Sequence, residues 1–196
     1  MRMLKGVRYT AVVLIAVVLA LVGRFALLQP ETSPPSPGGP FTLVDGQGKA
    51  VTDQDFRGRW MLVYFGYTYC PDVCPTGLQT ISQALRLLPS AKAEKVQPLF
   101  ISVDPQRDTP EAVGAYVQAF DPSMIGLTGT EEQVAAAAKA YRVYYRKAPE
   151  SGRAADDYLV DHSAMTWLMG PDGRYVTWFA HGLSAEEMAA GLARLL

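Results

Sequence analysis

The chain has 196 residues, 18 basic and 19 acidic side chains, a net charge of −1 and 49% hydrophobic content. Near-balanced charge without a Lys/Arg block excludes a phosphate backbone as an expected partner, so no nucleic-acid role is predicted. Two cysteines are too few for a disulfide framework, and they call for a local explanation as a redox or metal-binding pair.

Arg2, Lys5 and Arg8 make residues 1–8 a basic leader, predicted to stay cytoplasmic. An apolar run from Ala11 to Val22 follows, extended by Phe25 to Leu28 beyond Arg24. Residues 9–28 thus approach the roughly 20 residues of a single transmembrane helix, with Arg24 near the interface. This predicts a single-pass anchor in a bacterial-type inner (plasma) membrane, with the rest of the chain on the extracytoplasmic side. The competing reading is a cleaved signal peptide, although no convincing small-x-small site follows the apolar run. Residues 29–40 (QPETSPPSPGGP) hold five Pro and two Gly, the composition of an extended, partly stiff linker.

Residues 41–196 are the length of one domain. Phe41–Val44 and Lys49–Thr52 around Asp45-Gly46-Gln47-Gly48 predict an amino-terminal hairpin. Trp60–Tyr67 (WMLVYFGY) is a continuous apolar run, expected for a central strand buried on both faces. Leu78, Ile81, Leu85 and Leu88 then recur at helical spacing, predicting a helix from near Cys74 to before Pro89. Val96–Val103 reads as the next strand, and Thr109 with Pro110 caps a helix that continues through Ala112–Phe120. Met124–Leu127 predicts a short strand and Glu131–Tyr141 an Ala-rich helix. Lys147–Asp157 (KAPESGRAADD) reads as a mobile surface loop. Ser163–Met169 and Tyr175–Ala180 flank the turn Gly170-Pro-Asp-Gly173 as a hairpin. Ser184 with Glu187 makes a capping box for a last helix. Alternating strands and helices with a closing hairpin predict an α/β sandwich with the cysteine loop at the carboxyl end of a central strand, where open sheets bind ligands.

In Tyr69-Cys70-Pro71-Asp72-Val73-Cys74-Pro75 two thiols sit at i and i+4 in a loop entering a helix. Helix amides and the positive dipole end stabilise thiolate, which favours both nucleophilic attack and metal ligation. Flanking Pro71, Asp72 and Pro75 predict an exposed, constrained loop, against the alternative of two ordinary buried thiols. Thioredoxin-like oxidoreductases place two residues between their cysteines; the three here leave room for a third ligand.

His162 and His181 are the two histidines. His181 is expected at the surface. His162 precedes a strand expected in the same sheet as the cysteine strand, which leaves it open between a ligand and an ordinary satisfied polar residue. Two thiolates and an imidazole would form a soft three-coordinate site suited to Cu(I) and also able to hold Cu(II), whereas structural zinc takes four ligands; zinc with water as the fourth ligand stays open on coordination grounds, although the loop lacks the acidic or His partner of a hydrolytic site. Met165 and Met169 read as core packing.

Phe65-Gly-Tyr-Thr-Tyr-Cys-Pro-Asp-Val-Cys-Pro75, Ser102-Val-Asp-Pro-Gln-Arg-Asp-Thr-Pro110 and Asp161-His-Ser163 occur in this order, and residues 38–196 closely resemble the Sco/SenC copper chaperones. The resemblance implies a thioredoxin-like fold, a membrane anchor, and one copper held by Cys70, Cys74 and His162. It further implies help in building the binuclear copper centre of cytochrome c oxidase, with that centre's subunit as partner and another copper chaperone or a thiol reductant beside it. Trp167, and the short end beyond the last helix, depart from the family pattern. Asp72 and Asp161 beside the ligands, and Asp104, Arg107 and Asp108 in their own loop, are candidates for orienting the site or docking a partner. For the last three, a solvated turn is the competing reading.

Two mechanisms follow. A metallochaperone passes copper to partner thiolates by ligand exchange; a thiol-disulfide oxidoreductase uses Cys70 and Cys74 as a redox-active pair to reduce the oxidase subunit's cysteines. A peroxide-reducing enzyme needs an arginine beside the thiolate, and none adjoins the loop in sequence.

Overall fold

The computed structural model describes residues 17–20, 24, 36–148 and 158–196. Of the expected anchor, Val17–Ala20 and Arg24 are helical and the remainder lies outside the described residues. No helix among the described residues is long and apolar enough to cross a membrane. Residues 37–196 form a compact unit of their own.

The predicted hairpin is β1 (Thr42–Asp45) with β2 (Ala50–Thr52), and a 3-10 turn at Asp53–Phe56 follows it. The central apolar run is β3 (Trp60–Gly66), leading through the cysteine loop into α1 (Val73–Leu87) and a short α2 (Ser90–Ala93). Next come β4 (Val96–Ser102), α3 (Pro110–Gln118), β5 (Ile125–Thr128) and α4 (Glu131–Tyr141). The remainder is β6 (Tyr145–Ala148), β7 (Leu159–His162), β8 (Thr166–Met169), β9 (Tyr175–Phe179) and α5 (Ala185–Leu195).

Seven strands form one mixed sheet in the order β2-β1-β5-β4-β3-β8-β9. Strands β3, β4 and β5 run parallel, and β1 and β8 flank them antiparallel. The parallel centre explains the continuous apolar runs, because helices cover both of its faces. Tyr64 stacks on Phe100 and Phe100 contacts Tyr116 of α3, whereas Phe65 meets Tyr141 of α4 and Trp167 of β8. Trp167, the departure from the family pattern, is 2% exposed and belongs to that second aromatic layer. Met169 is fully buried and Met165 packs against the core, as expected.

Local signals set the helix starts. The Thr109 hydroxyl accepts from the Ala112 amide with Pro110 in the first turn, and Thr130–Gln133 and Ser184–Glu187 form reciprocal capping boxes.

Two expectations are corrected. Lys147 and Ala148 are not loop but the end of β6, which pairs antiparallel with β7 in a separate two-stranded ribbon; residues 149–157 lie outside the described residues. The strand after His162 begins at Thr166 rather than Ser163, and it does join the main sheet beside β3. His162 therefore arrives on the ribbon, with Tyr145 as its cross-strand neighbour.

Candidate metal centre

Strand β3 ends at Gly66 and the chain turns through Tyr67–Asp72 into α1. The turn is pinned by the buried Asp108 carboxylate, which accepts from the Thr68 amide at 3.0 Å, the Thr68 hydroxyl at 2.5 Å and the Ser102 hydroxyl at 2.6 Å. Helix α1 has no side-chain cap at Asp72. One of its orphan amides, that of Cys74, donates instead to Cys70 Sγ at 3.4 Å. Gly66 clears the space for the second sulfur, because a Cβ there would stand 2.6 Å from Cys74 Sγ.

His162 completes the cluster from β7. Its Nε2 lies 3.2 Å from Cys74 Sγ, and its Nδ1 is 3.3 Å from the Ser163 carbonyl. Donation from Nδ1–H to that carbonyl would leave Nε2 free to ligate a metal; in the metal-free site Nε2 faces the sulfurs as a hydrogen-bond partner. The rings of Tyr64 and Tyr67 stand nearly perpendicular to the imidazole in T-shaped contacts, with centroids at 6.3 and 5.8 Å. The Tyr64 hydroxyl donates to the Val73 carbonyl, while the Tyr67 hydroxyl accepts from the Val160 amide of the ribbon.

The ligand atoms of Cys70, Cys74 and His162 all lie within 4.8 Å of one another. Bonds of about 2.0–2.3 Å to sulfur and nitrogen set such atoms roughly 3.5–4 Å apart in a three-coordinate site, so the cluster fits one ion with small adjustments. The donors are soft and the set contains no carboxylate, which matches a thiophilic cation. Cys70 and His162 border an open cleft of about 310 Å³ lined also by Tyr67, Pro71, Asp72 and the rest of the Leu159–His162 strand, while Cys74 lies buried behind them.

Both cysteines are free thiols and both are buried, a correction to the expected exposed loop; Tyr69, Pro71 and Asp72 take the exposure instead. The thiols differ electrostatically. Cys70 is pulled down to about 4, chiefly by the hydrogen bond from the Cys74 thiol, helped by His162 and by the Asp72 and Cys74 amides, against the opposing effect of burial. Burial and the neighbouring Cys70 push Cys74 well above the ordinary thiol range. The two thiols are therefore inequivalent, with Cys70 the one disposed to ionise first and Cys74 held toward its neutral form.

The other expected residues divide. Asp72 is exposed and accepts weakly from the Thr76 hydroxyl at 3.4 Å. Asp161 is exposed and faces Arg146 at 3.6 Å, a solvent-screened pair of small energetic weight. Asp104 and Asp108 are each 1% exposed, which overturns the solvated-turn reading. Asp104 accepts from the Tyr158 hydroxyl at 2.7 Å and from Arg107 Nε at 2.5 Å. The Arg107 guanidinium stacks 3.7 Å over the Tyr158 ring and lies 4.7 Å from the ring of Tyr69, the residue before Cys70. The cysteine loop thus has an arginine neighbour in space that sequence adjacency did not reveal. His181 is exposed, as expected. Sequence reasoning passed over Tyr64, Gly66, Tyr67, Thr68 and Tyr158. Apart from the position of Tyr64–Thr68 next to the cysteines, nothing local marked them.

The parallel-centred mixed sheet, the helix entered through a cysteine loop and the Cys-Cys-His cluster at the strand's carboxyl end define a thioredoxin-like protein with a soft-metal site. The sequence profile of the SCO1/SenC family matches residues 29–196, and the chain belongs to that family. Human "Protein SCO1 homolog, mitochondrial" is 45% identical over 157 residues, spanning 80% of this chain and 52% of the human protein. The chain thus spans about half the length of the curated relatives it matches. Bradyrhizobium japonicum ScoI, solved with copper bound, superposes with a TM-score of 0.74 at 47% identity, covering 82% of this chain and 100% of that one. Arabidopsis thaliana ScoI, also solved with copper bound, gives 0.74 at 40% identity, covering 81% of this chain and 97% of that one.

Proposed function

We propose that this chain is a copper metallochaperone that binds one copper ion through Cys70, Cys74 and His162 and assists assembly of the binuclear copper centre of cytochrome c oxidase. The observation that carries the reading is the convergence of three soft donor atoms within 4.8 Å beside an open cleft. Family membership and the copper-bound relatives support the choice of metal. Residues 9–28 anchor the chain in a bacterial-type inner membrane, residues 29–40 form the tether, and residues 41–196 work on the extracytoplasmic side.

The site's asymmetry fits a carrier. Cys70 is the thiol disposed to ionise first and sits at the cleft, so it makes the first bond to arriving Cu(I). Cys74, fully buried, loses its proton as the second sulfur binds, and His162 closes the set without crossing the cleft. Release runs in reverse, with a partner thiolate entering from the cleft and displacing the accessible ligands before Cys74. Partners are the copper-centre subunit of the oxidase and a copper donor or thiol reductant.

The readily ionised Cys70 also favours a second reading, reduction of the oxidase subunit's cysteines. Cys70 thiolate would attack a partner disulfide and Cys74 would resolve the mixed disulfide. The partner gains two thiols and this chain is left with the Cys70–Cys74 disulfide. A competition titration of Cu(I) against a chromogenic chelator, on reduced protein and its His162→Ala variant, separates the two. One tightly bound Cu(I) per chain, markedly weakened by the variant, supports the carrier; no tight binding, or binding indifferent to His162, leaves thiol exchange.

A further inference from the structure

The geometry points to Arg107 and Tyr158 as a latch that seats the His162-bearing ribbon on the cysteine loop; as a device for ligation, it rests on the copper reading above. The need for a latch is physical. Strands β6 and β7 form a sheet of two strands apart from the seven-stranded one, and an isolated two-stranded ribbon is marginal in water. Its exposed Arg146–Asp161 pair contributes little. Yet His162 Nε2 must meet Cys74 Sγ, and metal–ligand distances tolerate only about ±0.2 Å.

Arg107 supplies contacts to both sides. Toward the ribbon, its Nη1 donates to the Tyr158 carbonyl at 3.0 Å and its guanidinium lies face-on to the Tyr158 ring. Toward the loop, the same group lies near the rings of Tyr69 and Tyr67, at 4.7 and 5.7 Å. Asp104 closes the arrangement by accepting from both Arg107 Nε and the Tyr158 hydroxyl. The side chains of Arg107 and Asp104 are only 14% and 1% exposed, and Tyr158 is 9% exposed, so these contacts are little screened by solvent. Four residues downstream comes His162, and between them the Val160 amide docks on the Tyr67 hydroxyl at 3.2 Å. A planar guanidinium stacks and donates at once in fixed directions, which a lysine ammonium does not.

Segment 102–109 is therefore more than a strand-end turn. Through Asp108 it fixes Thr68 in the cysteine loop, and through Asp104 and Arg107 it fixes Tyr158 at the start of the ribbon. One rigid segment thus sets the spacing of the two ligand-bearing parts. Arg107 and Tyr158 are positioning residues for His162.

The test uses the full-length reduced chain and reads two quantities. In the metal-free protein, amide hydrogen exchange is followed at Val160 and at Ser163, whose N–H donates to the Tyr144 carbonyl at 2.9 Å, with Val63 in β3 as the reference. Tyr158→Leu and Arg107→Lys should speed exchange at Val160 and Ser163 roughly tenfold or more relative to Val63. Tyr158→Phe, which keeps the stacked ring and loses the hydroxyl that Asp104 accepts from, should speed it less than Tyr158→Leu. Unchanged ribbon exchange in Arg107→Lys and Tyr158→Leu, or exchange that rises only in step with Val63, overturns the latch. The second quantity is Cu(I) affinity. Tyr158→Leu should weaken it about tenfold in the wild-type background and not further in a His162→Ala background; equal weakening in both overturns the positioning role. If His162→Ala alone leaves Cu(I) affinity unchanged, the copper reading fails, and the metal-free exchange still decides whether the latch exists.

Discussion

Replacing Gly66 with alanine tests whether the end of β3 is bare to make room for the Cys74 sulfur. The added Cβ would stand 2.6 Å from Cys74 Sγ, 2.9 Å from Phe100 Cε2 and 3.2 Å from Tyr64 Cε1. Ordinary contacts of this kind lie at about 3.5–4.0 Å, so the sulfur or the strand must retreat by roughly 1 Å. Neither side yields easily. Gly66 is paired with Ser102 of β4, its carbonyl accepts from the Val103 amide at 2.8 Å, and Cys74 is fully buried in the first turn of α1. Overpacking of this kind costs about 1–3 kcal/mol, which lowers the melting temperature by roughly 3–10 °C in a domain of this size. The effect on the metal should be larger in proportion, because a shift of about 1 Å far exceeds the tolerance of a metal–sulfur bond. We expect Cu(I) affinity to fall tenfold or more, a loss on the scale of disturbed ligand support. Thermal melts followed by circular dichroism and chelator competition on the same preparation give both numbers. A variant that melts within about 1 °C of wild type and holds Cu(I) equally well would refute the reasoning.

Loading Cu(I) near pH 7 should release fewer than two protons per chain from the thiols, because Cys70 is pulled below and Cys74 pushed above the ordinary thiol range; calorimetry in two buffers of different ionisation enthalpy measures it, and two protons would contradict the inequivalence. The same asymmetry shapes stability against pH. Cys70, depressed in the fold, contributes stability fully present above the ordinary thiol value of about 8.5 and lost as pH falls toward about 4. Cys74, raised in the fold, contributes stability present below about 8.5 and lost as pH climbs beyond it. Cys70→Ser should therefore flatten the acid side of the stability profile of the reduced metal-free protein, read from melting temperatures between pH 4 and about 8.5; an unchanged acid slope contradicts it. Asp108→Ala leaves the Thr68 amide and hydroxyl and the Ser102 hydroxyl without their acceptor, and should cost at least about 2 kcal/mol in urea unfolding. Ser184→Ala removes the hydroxyl that accepts from the Glu187 amide at 3.2 Å, and should cost about 1 kcal/mol with Cu(I) binding unchanged.

What was legible in the sequence was local. The Ser184–Glu187 capping box, Thr109 with Pro110, the apolar run of β3 and the turn Gly170–Gly173 each carry their structural signal within a few residues, and the elements they mark form there, with β8 starting three residues later than expected. The ribbon carried no such signal. β6 reads Tyr-Arg-Lys-Ala, half-buried only at its two ends, so no apolar alternation announces a strand, and its pairing with β7 joins segments with residues 149–158 between them. The polar loop 102–110 misled for a related reason. Asp104 and Asp108 read as solvated charges because their partners lie far along the chain, Tyr158 54 residues and Thr68 40 residues away. Burial of a carboxylate is decided by such partners rather than by its neighbours in sequence. The three candidate ligands stood out from their types and spacing, but the property that brings them together did not. That property is the seating of His162 over two inequivalent sulfurs, and it is produced by tyrosines and a glycine that read as ordinary core. The chemistry proposed for this domain is therefore written locally in Cys70, Cys74 and His162, while the contacts that surround them, from Asp108 to Thr68 and from Asp104 to Tyr158, join residues far apart in the chain.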